Sequence, residues 1–159
     1  MADEMELKQA QEVFATICQT LDSLDWKYDA DKEKLWLSTG ARGEDLPIDL
    51  KIKVDAKRYM VTVFSPIPFA VPEDKRLDMA AAVSVANNIL ADGNFDYDIN
   101  NGHIFFRMTN CYRGSKLGNE LFVYMVMCAC KTVDDFNDRF LMLSKGMITM
   151  EKFIEIVTG

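Results

Sequence analysis

The stretch GNFDYDINNGHIFFRM, Gly93 to Met108, admits two readings: a calcium loop or a β-hairpin. A calcium loop of the EF-hand type needs oxygen ligands at positions 1, 3 and 5, glycine at position 6 and a bidentate glutamate at position 12. Counted from Asp96, the side chains of Asp98 and Asn100 fit, but position 6 is Asn101 and position 12 is Arg107. The glycine comes one residue late, and a cation stands where the decisive carboxylate belongs. Asn-Gly instead favours a two-residue type I′ turn with positive φ at both central residues. That turn pairs Asn100 with His103, Ile99 with Ile104, Asp98 with Phe105, Tyr97 with Phe106, Asp96 with Arg107 and Phe95 with Met108. One face then carries Phe95, Tyr97, Ile99, Ile104, Phe106 and Met108, and Asp96 and Arg107 form an opposite-charge pair on the other. A one-residue slip would destroy both features, so the stretch is expected to be a hairpin.

The same period of two recurs upstream. Pro47 opens an alternation with Ile48, Leu50, Ile52 and Val54 on one side and Asp49, Lys51 and Lys53 on the other. After a turn at Asp55 to Arg58, residues Tyr59 to Ser65 return, with Tyr59, Val61 and Val63 toward the core and Met60, Thr62 and Phe64 beside the lysines. Trp26 to Ala30 and Lys34 to Ser38 read as short strands around Asp31 and Lys32. Any loop of even length puts Trp26, Tyr28, Leu35 and Leu37 on one face and Lys27 and Trp36 on the other. TGARGED, residues 39–45, reads as a polar loop, and PIPFAVP as a connection kept extended by its prolines.

Helical spacing takes over elsewhere. Leu7, Ala10, Phe14, Ile17, Leu21 and Leu24 form one stripe, better suited to packing on the sheet than to a coiled coil of about two and a half heptads. Residues 73–91 are apolar around most of a helix, which predicts burial on two sides. A third helical pattern spans about 116 to 145, with Thr132 a candidate kink, Ser115 a candidate N-cap and Gly146 the stop. Thr149 can cap a short last helix through Met150, Phe153, Ile154 and Val157. The expected fold is α+β, an antiparallel sheet packed against helices in the order α-ββββ-α-ββ-α(α), as a single domain over residues 1–159.

Composition narrows the function. The chain of 159 residues is 49% hydrophobic and 27% charged, as ordinary globular proteins are. A net charge of −7 disfavours a phosphate backbone, so no nucleic-acid partner is expected. MADEMELKQAQ lacks the apolar core of a signal peptide, and the longest apolar run, Leu121 to Cys130, is about half of the ~20 residues a membrane span needs. A cytoplasmic protein without a membrane partner is the expectation.

Catalytic and metal signatures are absent from the sequence. His103 is the only histidine, at a turn edge, which leaves Ser-His-Asp and Cys-His arrangements without a base. Cys18, Cys111, Cys128 and Cys130 include no C-x-x-C, and on a helix Cys128 and Cys130 point about 200° apart. Arg113-Gly114-Ser115-Lys116 precedes a helix but lacks the P-loop order. No enzymatic activity and no cofactor are expected. What stands out is the outer sheet face, where Trp36, Met60, Phe64 and Phe105 lie among Lys27, Lys51, Lys53, Asp96 and Arg107. Such a patch is either an interaction surface, self-association included, or is covered by the C-terminal helices.

Asn87 followed by the pattern of Gly93, Phe95, Gly102, Ile104, Phe106 and Arg107 resembles the helix-to-hairpin segment of the YbjN-like family, described as bacterial sensory-transduction regulators with a fold related to type III secretion chaperones. LDWKYD after the first helix and LSKGMITMEKF near the end add to the resemblance. It implies a type III secretion chaperone-like α+β fold, a homodimer, no enzymatic activity and no cofactor. The expected function is a non-enzymatic chaperone-like or regulatory adaptor that binds another protein. A small-molecule-binding regulatory module is the alternative.

Overall fold

A computed structural model describes residues 2–159, and its six strands pair antiparallel throughout. They are β1 (Tyr28–Asp31), β2 (Trp36–Arg42), β3 (Pro47–Asp55), β4 (Met60–Ala70), β5 (Asn94–Asp98) and β6 (His103–Cys111), in the spatial order β1-β2-β3-β4-β6-β5. The helices are α1 (Glu4–Ser23), α2 (Arg76–Ile89), α3 (Asn119–Ser144) and α4 (Met150–Thr158), with a 3-10 turn at Glu73–Lys75 leading into α2. The α+β expectation and the order of elements hold.

Alternation decides where the core lies. Leu37, Leu50, Ile52, Val61, Val63, Phe95, Ile104 and Phe106 point to one side of the sheet and are buried there beneath the helices. Phe95 sits at the centre of an aromatic cluster, with ring centroids 5.6 Å from Phe106, 5.3 Å from Phe136 and 5.1 Å from Phe140. Phe140 stacks in turn on Phe153 at 5.7 Å. The cluster ties the β5–β6 hairpin to α3 and α4, each pair adding about 0.5–1.5 kcal/mol beyond its area burial.

One turn design serves all three tight hairpins. Asp31, Asp55 and Asp98 each open a four-residue loop that closes opposite Trp36, Met60 and His103. Each carboxylate accepts backbone N–H groups inside its loop: from Glu33 and Lys34, from Arg58, and from Asn100, at 2.9–3.1 Å. The fourth loop residue is left-handed, at φ 53° in Leu35, 56° in Tyr59 and 77° in Gly102. Its carbonyl then accepts an N–H from a neighbouring segment: Val54, Tyr112 and Val71 respectively. Leu35 and Tyr59 carry about 1–2 kcal/mol of backbone strain there. Burial of Leu35, and the edge-on contact of Tyr59 with Tyr112 at 5.7 Å, offset it.

This design corrects the expected hairpin register. The loop has four residues, not two, so Asp98 faces His103, Tyr97 faces Ile104 and Phe95 faces Phe106. The Asp98 carboxylate, bonded to the Asn100 amide and the Asn101 side chain, wins over the tighter Asn-Gly turn. A slip of two keeps every side chain on its face, so the apolar face survives, but Ile99 moves into the loop and is 42% exposed. Asp96 and Arg107 still pair, now diagonally, at 2.7 Å.

Other boundaries move for physical reasons. β2 runs on through Thr39 to Arg42 because β3 needs a partner that far, leaving only residues 43–46 as loop. β4 continues through Pro66 and Pro68 to Ala70 along β6, while its pairing with β3 ends at Lys51 and Phe64, beyond which proline offers no N–H. α2 is buried on one broad side only, with Leu77 78% exposed. α3 passes Thr132 without interruption and is capped by Gly118, not Ser115. Thr149 caps α4 as expected, accepting from the Lys152 amide at 3.2 Å. In α1 the stripe from Ala10 to Leu21 is buried against α3 and β3, and Leu7 is exposed.

The β5 edge is covered at Phe95 by a side chain. Asn87 on α2 accepts from the Phe95 N–H at 2.7 Å and donates to the Phe95 carbonyl at 3.0 Å, as a further strand would. Asn87→Ala leaves both groups unpaired, and a loss of about 1–3 kcal/mol in urea unfolding is expected.

All five tyrosines are held above the usual phenol range. Burial pushes Tyr112 up to about 12, and the bond to the Asp92 carboxylate does the same for Tyr124. Folding therefore favours the neutral phenols. Their contribution is fully present below the unfolded pKa near ~10 and is lost as pH rises toward about 12. Phenolate absorbance in the native protein should rise later in pH than in urea, and stability should fall over that same interval.

Candidate functional site

Because the helices pack on one side, the opposite face of the sheet is left open. Its composition follows from the outward half of each alternation. Cross-strand register sets Trp36, Lys53, Thr62 and Thr109 in one row, and Ser38, Lys51, Phe64 and Arg107 in the next. Asp55, Met60 and Cys111 lie beyond one end, and Pro66, Phe105 and Asp96 beyond the other.

Trp36 and Phe64 meet diagonally at 5.6 Å, inclined at 55°, and the Lys51 ammonium lies 5.8 Å from the Trp36 ring. This places a cation over an aromatic face, a contact worth about 0.5–1 kcal/mol where solvent reaches it. Trp36, Met60, Phe64 and Phe105 are all half-buried by their neighbours within the sheet. Phe64 links Trp36 to the middle of the sheet, with Met60 and Phe105 toward opposite ends. The C-terminal helices α3 and α4 lie on the other side and do not cover them.

The remaining sequence candidates stay apart. His103 is exposed at a hairpin tip beside Asp98. The Arg113 guanidinium lies 4.6 Å from the Tyr59 ring centre, and Gln9 on α1 bonds the carbonyls of Tyr112 and Ser115, which fastens this loop to the first helix. Between α1 and the β1–β2 hairpin is a cleft of about 500 Å³ lined by Phe14, Cys18, Tyr28 and Leu35, one of several of similar size. Cys111 is the face residue that sequence reading passed over. Continuing the outward alternation Phe105, Arg107, Thr109 would have reached it.

The fold, a one-sided antiparallel sheet with four helices, is that of YbjN from E. coli. The chain superposes on its crystal structure with a TM-score of 0.56 at 15% identity, over 76% of this chain and 85% of that one. A superposition on the HopA1–SchA chaperone–effector complex gives 0.47 at 13% identity, over 92% and 97% of the respective chains. No protein-family model and no curated protein matches the chain. Among the described residues no helix is long and apolar enough to cross a membrane.

The cysteines give a chemical probe of the open face. Burial raises the thiols of Cys18 and Cys130, the latter to about 11, whereas Cys111 is exposed beside Met60. N-ethylmaleimide at mildly alkaline pH should modify Cys111 first and Cys130 slowest, as read by peptide mass spectrometry.

Proposed function

We propose that the chain is a non-enzymatic chaperone-like or regulatory adaptor of the cytoplasm that binds another protein through the open sheet face. One observation carries this reading: Trp36, Met60, Phe64 and Phe105 share a single uncovered face with Lys51, Lys53 and Arg107 among them. Aromatic and methionine anchors inside a charged surround are how protein interfaces are composed. The HopA1–SchA superposition is with a complex of a chaperone and an effector, and the sequence resemblance implies the same class. The reading includes a homodimer. Tyr124 and Met127, exposed side by side on α3 away from the sheet, give a second copy a surface that leaves the sheet face free.

Phe64→Asp tests it. The side chain is half-buried on the open face, so stability should change by about 1 kcal/mol or less, while a carboxylate is placed at the centre of the patch. A tagged pull-down of the native protein and the variant should show a stoichiometric partner with the first and none with the second. Equal recovery with Phe64→Asp would remove this face from the account.

A further inference from the structure

Charges are not spread evenly around the apolar patch of the open face. β4 presents Met60, Phe64 and Pro66 outward, and Phe105 lies beside Pro66 on β6. Along the β3 flank of this column stand Lys53, opposite Thr62, and Lys51, opposite Phe64. Among the described residues neither lysine is paired with a carboxylate. Nearby carboxylates are engaged elsewhere: Asp31 with Lys34, Asp55 with the Arg58 amide and Asp96 with Arg107. Asp29 stands two strands away on β1, and Asp49 one row beyond Lys51. A chain with a net charge of −7 thus keeps two uncompensated cations beside its aromatic patch.

The form of an occupant follows from its backbone. β3, β4 and β6 each lie between two other strands, so this face offers side chains, not free N–H and C=O groups. An extended segment laid on it would bury unpaired backbone, whereas a helix satisfies its own. From Met60 to the row of Pro66 and Phe105 the column is six residues long, about 20 Å at the rise of a strand. A helix of about 14 residues spans the same length.

We infer that the open face receives an acidic amphipathic helix of a partner protein. Its apolar stripe lies along Met60, Phe64 and Phe105, and carboxylates on one flank meet Lys51 and Lys53. This rests on the reading of the face as an interaction surface and names the chemistry of what it binds.

The test uses the full chain and two dye-labelled helical peptides of about 14 residues, each with leucine at every third or fourth position and alanine elsewhere. One carries glutamate along a flank of the stripe, and its twin carries lysine there. Anisotropy titrations should show the glutamate peptide binding and the lysine peptide not. Lys51→Glu with Lys53→Glu should weaken the glutamate peptide at least about fivefold and let the lysine peptide bind, a gain that an unfolded variant could not give. Phe64→Asp should abolish binding of the glutamate peptide. A labelled oligothymidylate of about 12 nucleotides enters the same assay, because aromatic and cationic side chains also take single-stranded nucleic acid. Equal binding of both peptides, tighter binding of the oligonucleotide, or indifference of peptide binding to Phe64→Asp would overturn the inference. If neither peptide binds at about 1 mM while a pulled-down partner is still lost with Phe64→Asp, the acidic helix falls and the interaction surface stands. If the pull-down too is unchanged by Phe64→Asp, both fall.

Discussion

Everything in this structure depends on strict two-residue alternation directing the apolar side chains of six strands to the same side. Ile48, Leu50, Ile52 and Val54 alone occupy four successive inward positions, each at most 3% exposed. Once that face is the core, all four helices must gather on it, and the amphipathic stripes of α1 and α3 supply the complementary surface. The aromatic cluster around Phe95 fixes the far end of the sheet to α3 and α4. The open outer face is thus a by-product of how the core is made.

That by-product has a specific composition. A sheet face left to solvent needs only polar residues, as Thr62, Thr109 and Lys53 are. Trp36, Met60, Phe64 and Phe105 depart from this, and register rather than sequence proximity brings them to one surface. The aspartate-opened turns matter for the same reason. Each fixes loop length at four and so fixes which residues share a row.

Much of this was legible in the sequence, because side-chain direction depends on parity alone. The β5–β6 register could be wrong by two residues while the face of Phe95, Phe106 and Arg107 remained right. Loop length was not legible, since Asn101-Gly102 carries a strong local preference that the Asp98 carboxylate overrides. Strand ends were lost where composition misleads: Thr39 to Arg42 look like loop and Pro66 to Ala70 like linker, yet both are held by neighbours distant in sequence. The solvent side of α2 was hidden for a different reason, because Leu77 and Ala81 are apolar residues left exposed. Of the candidate site, the four anchors were readable from alternation, Cys111 lay within reach of the same alternation carried on from Phe105, Arg107 and Thr109, and only the rows they share needed the registers.

The central claim is that the Trp36 face is open in the free protein. Acrylamide quenching of Trp36 fluorescence, in a Trp26→Phe background so that a single indole reports, addresses it most directly. The account predicts quenching typical of a half-exposed indole, unchanged as protein concentration is raised. An indole shielded at every concentration, or progressively shielded as concentration rises, would show that the face is covered and would contradict it.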